Sequence, residues 1–367
     1  MKLVVFGLSA SSSWGNGHAT LWRALIHALG EQGHRVVFFE RDQPFYAEHR
    51  DCTELCGGEL ILYSSWNEVQ ARATRELADA DAAMVTSYCP DGIAASVRVL
   101  ESAVPRRVFY DLDTPVTLEQ LRARNRVPYL PPQGLGDFDL VLSFTGGEAL
   151  QALRDELGAR WAAPLYGSVD PAVHFPVPPR QSYAADLSYL GTYAANRQAR
   201  LERLFIEVAR QRPTRRLVIG GAQYPADFPW TSNIAFVRHM PPAEHPAFYC
   251  SSPLTLSVTR EPMAAMGYCP SGRLFEAAAC GVPVLSDDWA GIETFFEPGR
   301  EVLLARTTED ALAALEQPRD ALRRIGRAAR ARVLAAHTAA HRARELCALL
   351  ESSGPRTTLD EAQTTGG

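Results

Sequence analysis

Seven cysteines are scattered through the 367 residues without one Cys-x-x-Cys pair, and only Cys52 and Cys56 lie close together. An odd, scattered set in a chain of this length fits reduced thiols in a cytoplasmic protein, not a disulfide framework or a structural zinc site. No apolar run approaches the roughly 18 residues needed to span a bilayer, so no membrane span is expected. Basic blocks are missing as well. Lys and Arg total 37 against 42 Asp and Glu, a net charge of −5, and without a basic stripe nucleic acid is not expected as a partner. The nearest approach to such a stripe, Arg319–Arg344, interleaves arginine with alanine and reads as the solvated face of a helix. Neither His239 nor His245 sits in a metal-ligand spacing, and both read as structural histidines. The opening MKLVVFGLSA has the look of a short signal peptide, but it runs straight into a glycine-bearing loop and an amphipathic stretch, as a first buried strand does.

Short apolar runs alternate with helix-period segments along the whole chain. Strands are expected near Leu3–Ser9, Val36–Glu40, Leu60–Tyr63, Ala82–Ser87, Arg107–Tyr110 and Leu140–Phe144, and again near Leu187–Leu190, Arg216–Ile219, Ile234–Val237, Leu254–Val258, Pro283–Ser286 and Val302–Ala305. Their continuous Val/Leu/Ile/Phe composition predicts strands covered on both faces, the mark of parallel sheets in α/β proteins. The fold class is therefore α/β, with two Rossmann-like, doubly wound parallel-sheet domains facing across a cleft. A stretch with five prolines between Ala163 and Asp186 predicts a stiff linker. The expected division is 1–170 for the first domain, 171–185 for the linker, 186–351 for the second domain and 352–367 for a disordered polar tail.

Ligands of such sheets collect at the carboxyl ends of strands. After the first strand, GLSASSSWGNGHATL lacks the GxGxxG dinucleotide fingerprint. Its Trp14, Gly15, Asn16, Gly17 and His18 are unusual for a loop that only turns, and a ligand site is favoured there. In FYDLDTP, Asp111 and Asp113 stand two apart on an extended segment. They could share a metal, or one could cap the next helix while the other orders the turn. Thr145 and Gly146 fall in a further strand-end turn able to line the cleft, and Arg197 enters a helix just after a strand.

The richest stretch is SGRLFEAAACGVPVLSD, Ser271 to Asp287. Ser271 is a good N-cap, and the free amides around Gly272 and Arg273 suit a phosphate. Glu276, one turn in, could accept two hydrogen bonds from a ribose diol, and the alanines allow tight packing on the sheet. Gly281 would end the helix before the next strand. An ordinary crossover helix with a chance glutamate is the alternative.

FEAAACGVPVLSDDWAGIETFFEPGREVLLA resembles the donor-binding segment of retaining, group-one glycosyltransferases of GT-B fold. With SWGNGHAT, FFERDQPFYAEHRD, FYDLDTPVTL, LSFTGG, YLGTY, HMPPAEHPAFY and VTREPM, the chain is similar more narrowly to the CgeB-like branch, over residues from about Met1 to Arg306. The resemblance implies a retaining, metal-independent transferase with no cofactor beyond its nucleotide-diphosphate-sugar substrate. It places the nucleotide sugar on the second domain and an unidentified acceptor on the first. Gly191, Thr192, Arg197, Gly221, Arg260, Ser271, Gly272, Arg273, Leu274 and Glu276 are the implied donor contacts, with Arg197 where the family usually has a diphosphate-binding lysine. Trp14 to His18, Asp111, Asp113, Thr145, Gly146 and Tyr268 are the implied cleft and acceptor residues, and Arg197, Asp113 and His18 the catalytic candidates. Tyr268 stands where the broad family has a sugar-binding glutamate, eight positions before Glu276. A nucleotide-sugar epimerase of the same architecture, and a non-catalytic pseudo-transferase acting as a binding or scaffold protein, are the rival functions.

Overall fold

The computed structural model describes residues 1–353. Of the tail expected from 352 onward, Ser352 ends the last helix and Ser353 is buried behind it; the rest lies outside the described residues.

In the first domain the strands are β1 Lys2–Gly7, β2 Arg35–Arg41, β3 Gly58–Tyr63, β4 Ala82–Thr86, β5 Arg106–Asp111, β6 Leu140–Ser143 and β7 Ala162–Pro164. They form one sheet in the order β3-β2-β1-β4-β5-β6-β7, every pair parallel. The second domain has β8 Leu187–Leu190, β9 Leu217–Gly221, β10 Ile234–Arg238, β11 Thr255–Ser257, β12 Val284–Asp287 and β13 Leu303–Ala305. Its order, β10-β9-β8-β11-β12-β13, repeats the first and is also parallel. Each sheet reverses its strand order once, between β1 and β4 and between β8 and β11. Ligands of open α/β sheets bind outside such points.

Burial follows from composition. Val4 and Phe6 pack on one face of the first sheet while Leu3 and Val5 pack on the other, all essentially unexposed. The strand missed in the sequence, β7, has only three residues and ends at Pro164, which is tolerated because it lies at the sheet edge.

The alanine-rich helix Gly272–Ala279 packs between its sheet and the long helix Arg319–Ala336. A Cβ on Gly326 would stand 2.2 Å from the carbonyl oxygen of Gly281, so small residues set how closely these helices approach. Gly281 takes φ +74 after the last turn, as a helix-ending glycine should.

One boundary is corrected. The helix Ala339–Ser352, expected in the second domain, crosses back and packs on the first-domain helix His18–Glu31. Its Ala339, Ala343, Leu346 and Leu350 belong to the first domain's core. The cause lies at His337-Thr338, where the arginine-rich stretch breaks into two helices. Backbone bonds there, Val169 N–H to His337 O at 3.2 Å and Ala339 N–H to Val169 O at 2.8 Å, lay the returning chain beside the outgoing linker. Arg319, Arg323, Arg324, Arg327, Arg332 and Arg344 are exposed, as a solvated face requires, and two arginines of the stretch depart from it. Arg342 is buried against His337, Glu345 and Gly167, and Arg330 donates to the Ala279 carbonyl at the end of the short helix.

Candidate active site

The loops after both switch points open onto one cavity of about 570 Å³ between the domains. From the first domain it is lined by Gly15, Asn16, Gly17, His18, Tyr88 and Asp113. From the second come Gly191, Thr192, Arg197, Gly221, His245, Arg260, Ser271, Gly272, Arg273 and Glu276.

The second-domain wall is positively charged. Arg197 donates from one terminal nitrogen to the Tyr189 hydroxyl, 3.2 Å, and to the Thr192 carbonyl, 3.1 Å, while its buried Nε has no partner. Arg273 donates to the Leu190 carbonyl at 2.7 Å and to Ser271 Oγ at 3.0 Å, so it braces the strand end. Burial, together with the like charges of Arg273 and Arg260, lowers the Arg197 pKa against the opposing pull of Tyr189. A buried cluster of guanidiniums with an unpaired donor is a seat for an anion. Ser271 occupies the N-cap position, but its hydroxyl is engaged by Arg273 and makes no cap bond, which leaves the Gly272 and Arg273 amides open while Leu274 N–H donates to the Ser271 carbonyl.

Glu276 lies one turn into that helix, 7% exposed. Tyr249 donates to its Oε2 at 3.3 Å, and His245 Nδ1 stands 3.7 Å away. Burial alone would raise its pKa; His174, His245 and Arg273 hold it down to about 2, so a carboxylate faces the cavity at neutral pH. Glycine is required nearby at Gly221, where φ is +155 and a Cβ would stand 2.0 Å from the Gly191 carbonyl oxygen.

On the opposite wall Asp113 is placed between His18 Nε2 and Arg260 Nη1, each 3.8 Å from its Oδ2. The other ring nitrogen of His18, Nδ1, is buried without a partner. Asp111 does not join this group. It is fully buried, and its Oδ1 accepts from the Asp113 backbone and from Thr117, each at 3.1 Å. Burial raises it to about 6 despite those bonds. The turn after β5 sets the two carboxylates in different surroundings, Asp111 in the core and Asp113 on the cavity wall.

Other expected residues take structural places. Leu274 is in the core. Thr145 donates to Cys269 Sγ at 3.2 Å, and the Gly146 N–H donates to the Tyr268 carbonyl at 2.9 Å, so these residues form the seam between domains. The Tyr268 ring lies where Cβ atoms on Gly147 or Gly291 would collide with it, and it does not line the cavity. The residue at the broad family's glutamate position is an interdomain contact here. Trp14 also bridges the domains, stacked 4.1 Å from His49 and tilted against His239 at 4.4 Å.

Sequence reasoning missed several parts of the site. His245 was read as structural although it touches Glu276, and Tyr88 and Gln223 line the cavity without any motif. Asp287 accepts two 2.9 Å bonds from Thr259 and fixes the loop that carries Arg260. His174, inside the proline-rich linker, reaches His245.

Residues 197–348, somewhat under half of the chain, match the sequence model of a family described as Glycosyl transferase-like. No curated protein matches the sequence. Among solved structures, a sucrose-phosphate synthase from Thermosynechococcus elongatus superposes with a TM-score of 0.71 at 15% identity, over 96% of this chain and 99% of that one. Anabaena HepE in complex with UDP-glucose gives 0.65 at 13% identity, over 96% and 100%. An alpha-glucosyltransferase in complex with UDP-glucose and DNA containing an abasic site gives 0.66 at 12%, over 96% and 99%. At these identities the likeness is one of fold. The described residues have the GT-B architecture, and the second domain carries the glycosyl transferase-like sequence pattern. Among the described residues no helix is long and apolar enough to cross a membrane.

Proposed function

We propose that this GT-B chain is a glycosyltransferase of the CgeB-like branch, moving a sugar from a nucleotide-diphosphate donor to an unidentified acceptor with retention of anomeric configuration and without a catalytic metal. One observation carries the reading: an ionised, buried Glu276 and the guanidinium-bearing Arg197 line one cavity beside a helix N-terminus whose Gly272 and Arg273 amides make no cap bond. The carboxylate suits a ribose diol, and the amides and guanidinium suit the diphosphate between ribose and sugar. The UDP and UDP-glucose bound by HepE and the alpha-glucosyltransferase support a donor of this class.

Cleaving the sugar–phosphate bond concentrates negative charge on the leaving diphosphate as positive charge grows at the anomeric carbon. Fixed donors aimed at the leaving oxygens are then the main catalytic device, with Arg197 first among them. No nucleophilic side chain is required if the acceptor attacks from the leaving-group face and the leaving phosphate takes its proton. Asp113 and His18 border the acceptor side and orient that hydroxyl. A net charge of −5 and no basic stripe argue for an acceptor other than nucleic acid. The compartment proposed is the cytoplasm, where such donors are made.

Incubating the purified chain with UDP-sugars, with and without excess chelator, tests the reading. Slow release of UDP in the absence of acceptor, unchanged by chelator, is the expected result. Binding without any release would instead mark a scaffold that has kept the fold and lost the chemistry.

A further inference from the structure

His174, His245 and Glu276 converge from three parts of the chain: the linker, the helix His245–Cys250 and the helix Gly272–Ala279. One donor atom of each lies within 4.8 Å of the other two. His174 Nε2 is 3.5 Å from His245 Nδ1, which is 3.7 Å from Glu276 Oε2. Ligand atoms around a tetrahedral zinc ion at bond lengths near 2.0–2.1 Å sit about 3.3 Å apart, so along those two edges the atoms need to draw in by only a few tenths of an ångström.

The hydrogen bonding prepares the same point. His245 Nε2 lies 3.2 Å from the Met240 carbonyl oxygen, a contact made by a protonated nitrogen. In the neutral ring Nδ1 then carries a lone pair directed at Glu276 and His174. A metal-ligating histidine is commonly fixed in this way, its other ring nitrogen held by a backbone carbonyl. His174 and Glu276 are 4% and 7% exposed, so three electron-rich atoms face one another with little water to separate them. A single shared proton bonds two of the three; a divalent cation can bond all of them. His245 and Glu276 also line the cavity, which leaves a water to complete the coordination from that side.

We propose that His174, His245 and Glu276 form a binding site for a divalent transition-metal cation of the zinc type, and that an ion held there takes Glu276 away from the donor. Imidazole ligands select zinc, cobalt or nickel over magnesium and calcium, so this site is distinct from the magnesium or manganese sites of other sugar transferases. The competition with the donor rests on the ribose reading of Glu276 given above. The site itself does not.

Titrating the full chain with Co²⁺ by absorption and with Zn²⁺ by calorimetry tests it. One ion per chain is expected, with the intense visible bands of four-coordinate cobalt and no sulfur charge-transfer band. His174→Asn should weaken Zn²⁺ binding by about 100-fold, with a much smaller change in UDP affinity because His174 lies outside the cavity wall. His174→Gln gives a second variant should the first melt early. Unchanged Zn²⁺ affinity in the folded variant would overturn the site, as would a thiolate band placing the ion on cysteine. Zn²⁺ binding that UDP fails to displace would keep the metal site and remove the ribose role of Glu276. UDP binding with no stoichiometric Zn²⁺ would do the reverse.

Discussion

The two sheets share one strand order, yet they equip the cleft differently. On the second domain the site is built in advance: Arg273 is tied to strand-end carbonyls, Arg197 to Tyr189 and Thr192, and Glu276 to Tyr249. On the first domain Asp113 reaches His18 and Arg260 only at 3.8 Å, and His18 keeps an unpartnered buried nitrogen. The second-domain wall is preorganised. The first-domain wall is assembled from loops and completed across the gap by Arg260. Function on a shared fold resides in such differences between loops.

The comparison breaks most sharply at the diphosphate. In the proposed role Arg197 stabilises charge that grows only as the bond is cleaved, so Arg197→Ala should lower kcat by roughly 10²-fold or more. Arg197→Lys should restore part of it, a point charge replacing a planar fork. On the proposed assignment Glu276 contacts the ribose, a part of the donor that does not change during reaction. Glu276→Gln should therefore cost about 1.5–3 kcal/mol of donor affinity, the range for hydrogen bonds to a charged group, with a smaller change in kcat. Steady-state kinetics at saturating acceptor read both variants. A collapsed kcat in Glu276→Gln with an intact one in Arg197→Ala would reverse the assignment.

The two aspartates after β5 give the next effect. Folded Asp111 holds its proton up to about 6, whereas an unfolded aspartate loses it near 3.9. Below that window both states are protonated. Within it only the folded state keeps the proton, so this group's contribution to stability falls as pH rises and is fully lost above about pH 6. At 1.4 kcal/mol per unit the loss approaches about 3 kcal/mol. Asp111→Asn should flatten that part of the curve, measured as the difference in urea midpoints between the two proteins from pH 4 to 7. Parallel curves would mean that Asp111 is not buried as described.

Much of this arrangement was legible in the sequence, and the reasons for the rest are physical. Continuous apolar runs located twelve strands because burial on both faces leaves an unbroken pattern. The seven-stranded count was not legible, since a three-residue edge strand ending in proline carries no period. Nor was the return of Ala339–Ser352 to the first domain, because its apolar stripe fits either core and only the pairing at Val169 decides. Glu276 was legible because helix position and residue type coincide. His174 was not, because a histidine in a proline-rich linker signals nothing until the linker folds against His245. Arg197 stands where a lysine was the family expectation, in a chain whose single lysine is Lys2.

The smallest effect tests how the acceptor wall is completed. Trp14 belongs to the first domain, but its ring lies between His49 of that domain and His239 of the second. A stacked aromatic contact contributes about 0.5–1.5 kcal/mol beyond its burial, enough to bias closure without determining the fold. The same loop meets the second domain again at Gly15, where a Cβ would stand 2.9 Å from Gln223 Nε2. Trp14→Ala removes the ring but leaves Glu276, Arg197 and the helix N-terminus untouched. UDP affinity should therefore fall by less than about tenfold, as loss of one such contact allows. The larger change should be in water exclusion, because a cleft that closes less completely lets water compete with the acceptor. The informative measurement is the ratio of donor hydrolysis to transfer, which should rise in Trp14→Ala while the binding constant for UDP shifts little. A large loss of UDP affinity with an unchanged ratio would place Trp14 on the nucleotide and make the two walls more alike than their geometry indicates.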